Sequence, residues 1–210
     1  MVLCVIATLQ ASAQTVYEIP FASTKNRVEL TVENGSANSM GEIVVKVEDV
    51  PSWITVEPEQ QSLVNPKGTG GGTVHFTFSV NRSAPVRQQS DLSFAISSQY
   101  GGRWTKKIHI AVAAPDRFEL LQNFPNPFNP ITTIEYVVPR ESYVSLKLYN
   151  LLGEEVATLV QSRLAAGGWK ATWDAVGSPS GVYFYLLQAH PIDGGQAGGF
   201  TQIRKLMVMK

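Results

Sequence analysis

The chain has 210 residues, room for one large domain or two small ones, and 44% of them are apolar, so a packed core is expected and wholesale disorder is not. Lys plus Arg number 17 and Asp plus Glu also number 17; the zero net charge gives no electrostatic pull towards nucleic acid or an acidic membrane. The sole cysteine, Cys4, rules out a disulfide within the chain.

Residues Val2 to Leu9 form an apolar run followed by Ala11-Ser12-Ala13-Gln14. A short hydrophobic segment followed by small residues is the order of a secretory signal peptide, with cleavage after Ala13. The run is shorter than the roughly 20 apolar residues that cross a bilayer. No Lys or Arg precedes it, so the α-amino group is the only positive charge there, or the start lies upstream. The alternative is a buried N-terminal strand. Cleavage would remove Cys4, and with it any thiolate metal site or Cys nucleophile.

Beyond Gln14 short β-branched and aromatic runs alternate with Gly, Pro, Asn and Ser, and helical periodicity is nearly absent. Candidate strands are Arg27–Val32, Glu42–Val47, Trp53–Val56, Thr73–Val80, Asp91–Ser97 and Thr105–Val112. Val74, Phe76 and Phe78 alternate with His75, Thr77 and Ser79, and Ile108, Ile110 and Val112 with His109 and Ala111. One wet and one buried face per strand is the pattern of an antiparallel sandwich. Asn34-Gly35 and Gly68–Gly72 supply turns. Residues 14–113 are therefore read as an immunoglobulin-like sandwich and 114–117 as a linker.

Residues 118–210 form a second β-rich unit. Its candidate strands are Thr132–Val138, Tyr143–Tyr149, Glu155–Val160, Gly168–Trp173, Gly181–Gln188 and Gln202–Met209. Gly153–Ala166 could hold a helical turn or two. The fold class expected is all-β, two immunoglobulin-like antiparallel β-sandwich domains in tandem.

Leu121–Pro130 reads LQNFPNPFNP. Pro125, Pro127 and Pro130 fix φ and remove donors, Asn123, Asn126 and Asn129 suit side-chain turns, and Phe124 and Phe128 supply two apolar anchors. A rigid, turn-bearing segment pinned at the domain entrance follows.

With that segment, Phe118–Pro139 resembles the start of the C-terminal sorting domain carried by substrates of the type IX secretion system. Val144–Val160 resembles the family's central hairpin, Gly167–Ala189 its W-D…PSGVY block, and Ile203–Lys210 its terminal basic-apolar strand. The resemblance implies entry into the periplasm by the general pathway and recognition of the folded domain by an outer-membrane export machine. In many members the domain is then cleaved while the passenger is attached to surface lipopolysaccharide, or the protein is released. Pro125, Asn126, Pro127, Phe128, Gly153, Gly181, Tyr183, Lys205 and Lys210 fall on the family's motif positions. For Gly153, Gly181 and Tyr183 a purely structural role is the competing reading. The Lys205–Lys210 segment reads as an exposed edge strand that a partner extends by strand addition.

For the first sandwich, Val50–Leu63 is loosely similar to small bacterial immunoglobulin-like modules, some associated with carbohydrate binding. Trp53 and Trp104 are the candidate sugar-stacking rings, with core packing as the alternative. His75, His109 and His190 show no metal-ligand spacing, there is no G-x-S-x-G elbow, and Gly68–Gly72 lacks the features of a phosphate loop. No catalytic residue, metal or cofactor is expected. The leading reading is a secreted or surface protein with an interaction module as passenger, its partners the type IX machinery, lipopolysaccharide, and a polysaccharide or protein ligand. The others are an exported carbohydrate-binding module, the C-terminal remnant of a secreted enzyme, and a flagellar-hook-type immunoglobulin module.

Overall fold

Period-two alternation dictates strands whose apolar faces must be covered, and the chain meets that demand with two pairs of sheets. The computed structural model describes residues 2–7 (backbone course only), 15–33, 41–64, 71–192 and 199–210. Among them there are strands and turns but no helix. The chain divides into two compact units, Met1–Ala113 and Ala114–Lys210.

The first unit contains β1 (Val2–Ala7), β2 (Val16–Ile19), β3 (Asn26–Glu33), β4 (Ile43–Val47), β5 (Ile54–Glu57), β6 (Gln60–Leu63), β7 (Gly71–Val80), β8 (Gln89–Ser98) and β9 (Arg103–Val112). One sheet runs β1-β3-β7-β5 and the other β2-β9-β8-β4-β6. The two edge strands β1 and β2 join in parallel, to β3 and β9; the other pairings are antiparallel. Val28 and Leu30 of β3, Phe76 and Phe78 of β7, Phe94 of β8 and Ile108 and Ile110 of β9 fill a common core. The Phe76 and Phe94 rings meet across the sheets at 5.1 Å. Val2–Ala7, the apolar part of the expected signal peptide, lies along β3. Its expected cleavage site at Ala13 lies outside the described residues, as do the turn at Asn34-Gly35 and most of Gly68–Gly72.

The second unit contains β10 (Glu119–Leu120), β11 (Ile131–Val138), β12 (Ser142–Tyr149), β13 (Glu155–Leu164), β14 (Gly167–Asp174), β15 (Gly181–Pro191) and β16 (Phe200–Val208). Its sheets run β10-β11-β14 and β13-β12-β15-β16, antiparallel throughout. Val144, Leu146 and Leu148 of β12 point into the core, with Ile134, Tyr136, Trp173, Tyr185 and Leu206. The helical turn conceivable at Gly153–Ala166 does not form. Glu155–Leu164 pairs along β12 instead, where cross-strand partners such as Lys147 and Glu155, 2.8 Å apart, reward extension.

Candidate functional site: the proline strap and the terminal strand

The segment Asn123–Pro130 is a strap that ties the first long strand of the second unit to its last. At one end Phe124 forms a bridge with Thr133 of β11, N–H to carbonyl in both directions, at 2.9 and 3.0 Å. At the other, Phe128 bridges in parallel to Val208, its N–H donating to the Met207 carbonyl (3.1 Å) and its carbonyl accepting from Met209 (3.0 Å). Between them, the Asn126 side-chain oxygen accepts the Met207 N–H at 2.9 Å. The peptide bonds before Pro125, Pro127 and Pro130 are cis.

A buried polar cluster holds the strap from beneath. Asn123, only 2% exposed, donates through its side-chain amide to the Pro125 carbonyl (3.0 Å) and to Thr132 Oγ1 (2.9 Å). Thr132 Oγ1 donates to the same carbonyl at 2.8 Å. The Tyr185 hydroxyl accepts the Asn123 N–H (3.0 Å) and donates to the Leu121 carbonyl (2.8 Å). Burial raises the Tyr185 pKa, with the Asn123 N–H and the Arg204 charge opposing. With its groups paired, this cluster fixes one conformation of the strap rather than taxing the fold.

The edge of β16 is consequently not free. Beside the Asn126 and Phe128 links, Gln122 Nε2 donates to the Lys205 carbonyl (2.8 Å), the Leu120 N–H donates to Gln202 Oε1 (3.1 Å), and Arg204 Nε donates to the Leu120 carbonyl (2.7 Å). The chain's own strap occupies the Met207 N–H and carbonyl, the Met209 N–H and the Lys205 carbonyl, most of the groups that strand addition at Lys205–Lys210 would need, which counts against that expectation. The end of the strand is tied as well: the Lys210 N–H donates to Ser180 Oγ (3.0 Å) and its ammonium to the Val176 carbonyl (2.7 Å).

The two strap phenylalanines part company. Phe128 is 3% exposed and meets Trp173 edge-on at 5.5 Å, and Trp173 in turn meets Tyr183 at 5.2 Å. Phe124 is 82% exposed, so it is not the second anchor expected from the sequence. It overhangs a shallow groove lined by Leu121, Gln122, Thr133, Glu135 and Lys170. The strap backbone explains the difference, since bridging β11 at Phe124 and β16 at Phe128 leaves only the latter side chain over the core.

The remaining motif residues are spread over the unit. Pro125, Asn126, Pro127 and Lys205 are exposed; Tyr183 is buried, its hydroxyl donating to the Pro179 carbonyl at 2.9 Å. Gly153 sits in the β12–β13 turn at φ 80°, where Asn150 Oδ1 accepts from the N–H groups of Leu152 and Glu154. Gly181 opens β15, opposite Val208. The structure thus brings Pro125, Asn126, Pro127 and Phe128 to the edge of β16, the strand that carries Lys205, whereas Lys210 is tied to the β14–β15 connection and Gly153 lies at a separate hairpin tip. Asn123 makes the side-chain turn expected of it, to the Pro125 carbonyl; Thr132 and Tyr185 carry no local signal of their role. Asn123 stood inside the motif, but nothing local marked it as buried.

In the first unit the stacking candidates fare differently. Trp53 is 7% exposed and part of the core, so its ring offers no face to a sugar; that expectation is corrected. Trp104 packs partly buried against the same core, its ring over Gly102. His75 and His109 sit opposite Glu29 and Asp91 on neighbouring strands, at 3.5 and 2.8 Å. These are cross-strand acid–histidine pairs; His109 is more covered than a solvated residue on a polar face. Among the described residues no group of three or more His, Cys, Asp or Glu is placed to hold a metal ion.

An antiparallel β-sandwich whose entry segment locks its own last strand defines the second unit. Residues 122–192 match the family described as secretion system C-terminal sorting domain, the sorting domain of type IX secretion. Such a domain implies export and interaction with the type IX machinery. No curated protein matches the chain. Among solved structures it is similar to the CupB2 chaperone of Pseudomonas aeruginosa, at 15% identity over 91% of this chain and 97% of that one, with a TM-score of 0.30. It is similar also to dimeric latent PorU of Porphyromonas gingivalis, at 13% identity over 94% of this chain and 19% of that one, with a TM-score of 0.35. Likenesses this distant carry no functional weight.

Proposed function

We propose that this is a non-enzymatic secreted or cell-surface protein. In this reading residues 1–13 take it into the periplasm, residues 14–113 are a passenger with an adhesive or interaction role, and residues 118–210 direct it across the outer membrane. The observation that carries the reading is the tie between strap and terminal strand, which unites motif residues far apart in sequence into one surface. Phe128, Tyr183, Gly153 and Gly181 then shape the unit. Pro125, Asn126, Pro127 and Lys205 are displayed to the machinery, and Lys210 secures the chain end. The passenger ends on surface lipopolysaccharide or free in the medium, and its ligand is a protein or polysaccharide.

Fractionation of a host with a working type IX system tests the proposal, comparing the full chain with one lacking Lys205–Lys210 and with Asn126→Ala. Full-length protein at the surface or in the medium, with the truncated chain held in the periplasm, is the expected result. Equal export of both chains would refute a role for the terminal strand.

A further inference from the structure

The outer face of the four-stranded sheet in the second unit carries an apolar stripe along β15 and β16, flanked on β12 and β13 by the polar groups expected of a solvated sheet. In β15, Tyr183, Tyr185, Leu187 and Ala189 point into the core, which sends Val182, Phe184 and Leu186 to the other face. The register extends this stripe sideways. Phe184 lies between Tyr149 of β12 and Lys205 of β16, Leu186 between Lys147 and Ile203, and Val182 beside Met207. Ile203 is 58% exposed and Met207 37%. Lys147 is neutralised by Glu155 at 2.8 Å, while among the described residues the Lys205 ammonium has no ion-pair partner.

We infer that this face docks on a protein partner offering a flat apolar surface and a carboxylate opposite Lys205. The inference rests on the sorting reading and names the surface and the partner chemistry that reading requires. Aromatic, Met and aliphatic side chains along β15 and β16, with the Lys147–Glu155 pair on one flank and Lys205 on the other, make an apolar patch with a charged rim, as at an interface. The unmatched lysine selects among occupants. An acidic protein surface would satisfy it. A bilayer is matched poorly, because Val182, Phe184 and Leu186 at the centre of the stripe are partly covered rather than projecting.

The test compares the full wild-type chain with Leu186→Glu/Ile203→Glu and with Lys205→Glu in a type IX host. We expect both variants to keep the wild-type unfolding midpoint while the surface and medium fraction falls about tenfold or more for the double variant, with retention in the periplasm. If the double variant unfolds early, Ile203→Glu at its exposed position decides alone, with a several-fold loss expected. Wild-type export of folded Leu186→Glu/Ile203→Glu overturns the docking inference and leaves the sorting reading intact; retention of the wild type itself overturns both. A wild-type dimer by light scattering that Leu186→Glu/Ile203→Glu abolishes overturns it in favour of a second copy. Flotation with phosphatidylethanolamine–phosphatidylglycerol vesicles, lost in that variant, overturns it in favour of a membrane.

Discussion

Truncating the same side chain at two places four residues apart separates anchoring from display. Phe128 is 3% exposed, packs edge-on to Trp173 at 5.5 Å, and sits where the strap grips β16. Phe128→Ala should cost about 3–5 kcal/mol through lost burial and the cavity left behind. A unit of this size has only about 5–15 kcal/mol in all, so roughly a fifth or more of its stability is at stake. Phe124, 82% exposed, should change stability by less than about 0.5 kcal/mol when replaced by Ala. Urea unfolding of the full chain by tryptophan fluorescence reads both, Trp169 and Trp173 reporting the second unit and Trp53 and Trp104 the first. We expect the second unit's midpoint to drop by roughly 2–4 M in Phe128→Ala and to hold in Phe124→Ala, with the first unit's transition unmoved in both. Similar midpoints for the two variants would refute the assignment of Phe128 as the sole strap anchor.

Tyr185→Phe removes the hydroxyl that accepts from the Asn123 N–H and donates to the Leu121 carbonyl, so it should cost about 1–3 kcal/mol in the same assay and speed amide exchange at Asn123. Tyr136 has its pKa pushed up by burial to about 12 from 10.0. Its folded form therefore stays neutral after the unfolded chain ionises. The stability this contributes is complete below pH 10 and is lost as pH rises towards 12, by at most about 1.4 kcal/mol per pH unit. Tyr136→Phe should flatten that part of a pH titration of unfolding; an unchanged slope would contradict it. At Gly153 the φ is +80° and an added Cβ meets nothing within 4 Å, so the cost of Gly153→Ala is conformational alone, about 1 kcal/mol, and Gly153→Asn should cost less. Thermal unfolding of the two variants ranks them, and equal melting would count against a left-handed requirement there.

Local alternation by itself determined that this chain is all-β and where most of its strands run. Burial is written directly into period two, and Val74-Phe76-Phe78 or Val144-Leu146-Leu148 admit no other covered face. The short strands β2, β6 and β10 escaped notice because four residues or fewer carry too little pattern, and because β6, Gln60–Leu63, is mostly polar. The LQNFPNPFNP segment also announced itself, since three prolines and three asparagines in ten residues restrict the backbone whatever surrounds it. Tertiary structure alone decided which phenylalanine is buried, that Trp53 belongs to the core, and that Asn123 rests on Tyr185. It alone closed the edge of β16, through a bridge from Phe128 to a residue at the far end of the unit. Those outcomes depend on pairing between segments distant along the chain, and side-chain period specifies a face without specifying the neighbour that covers it.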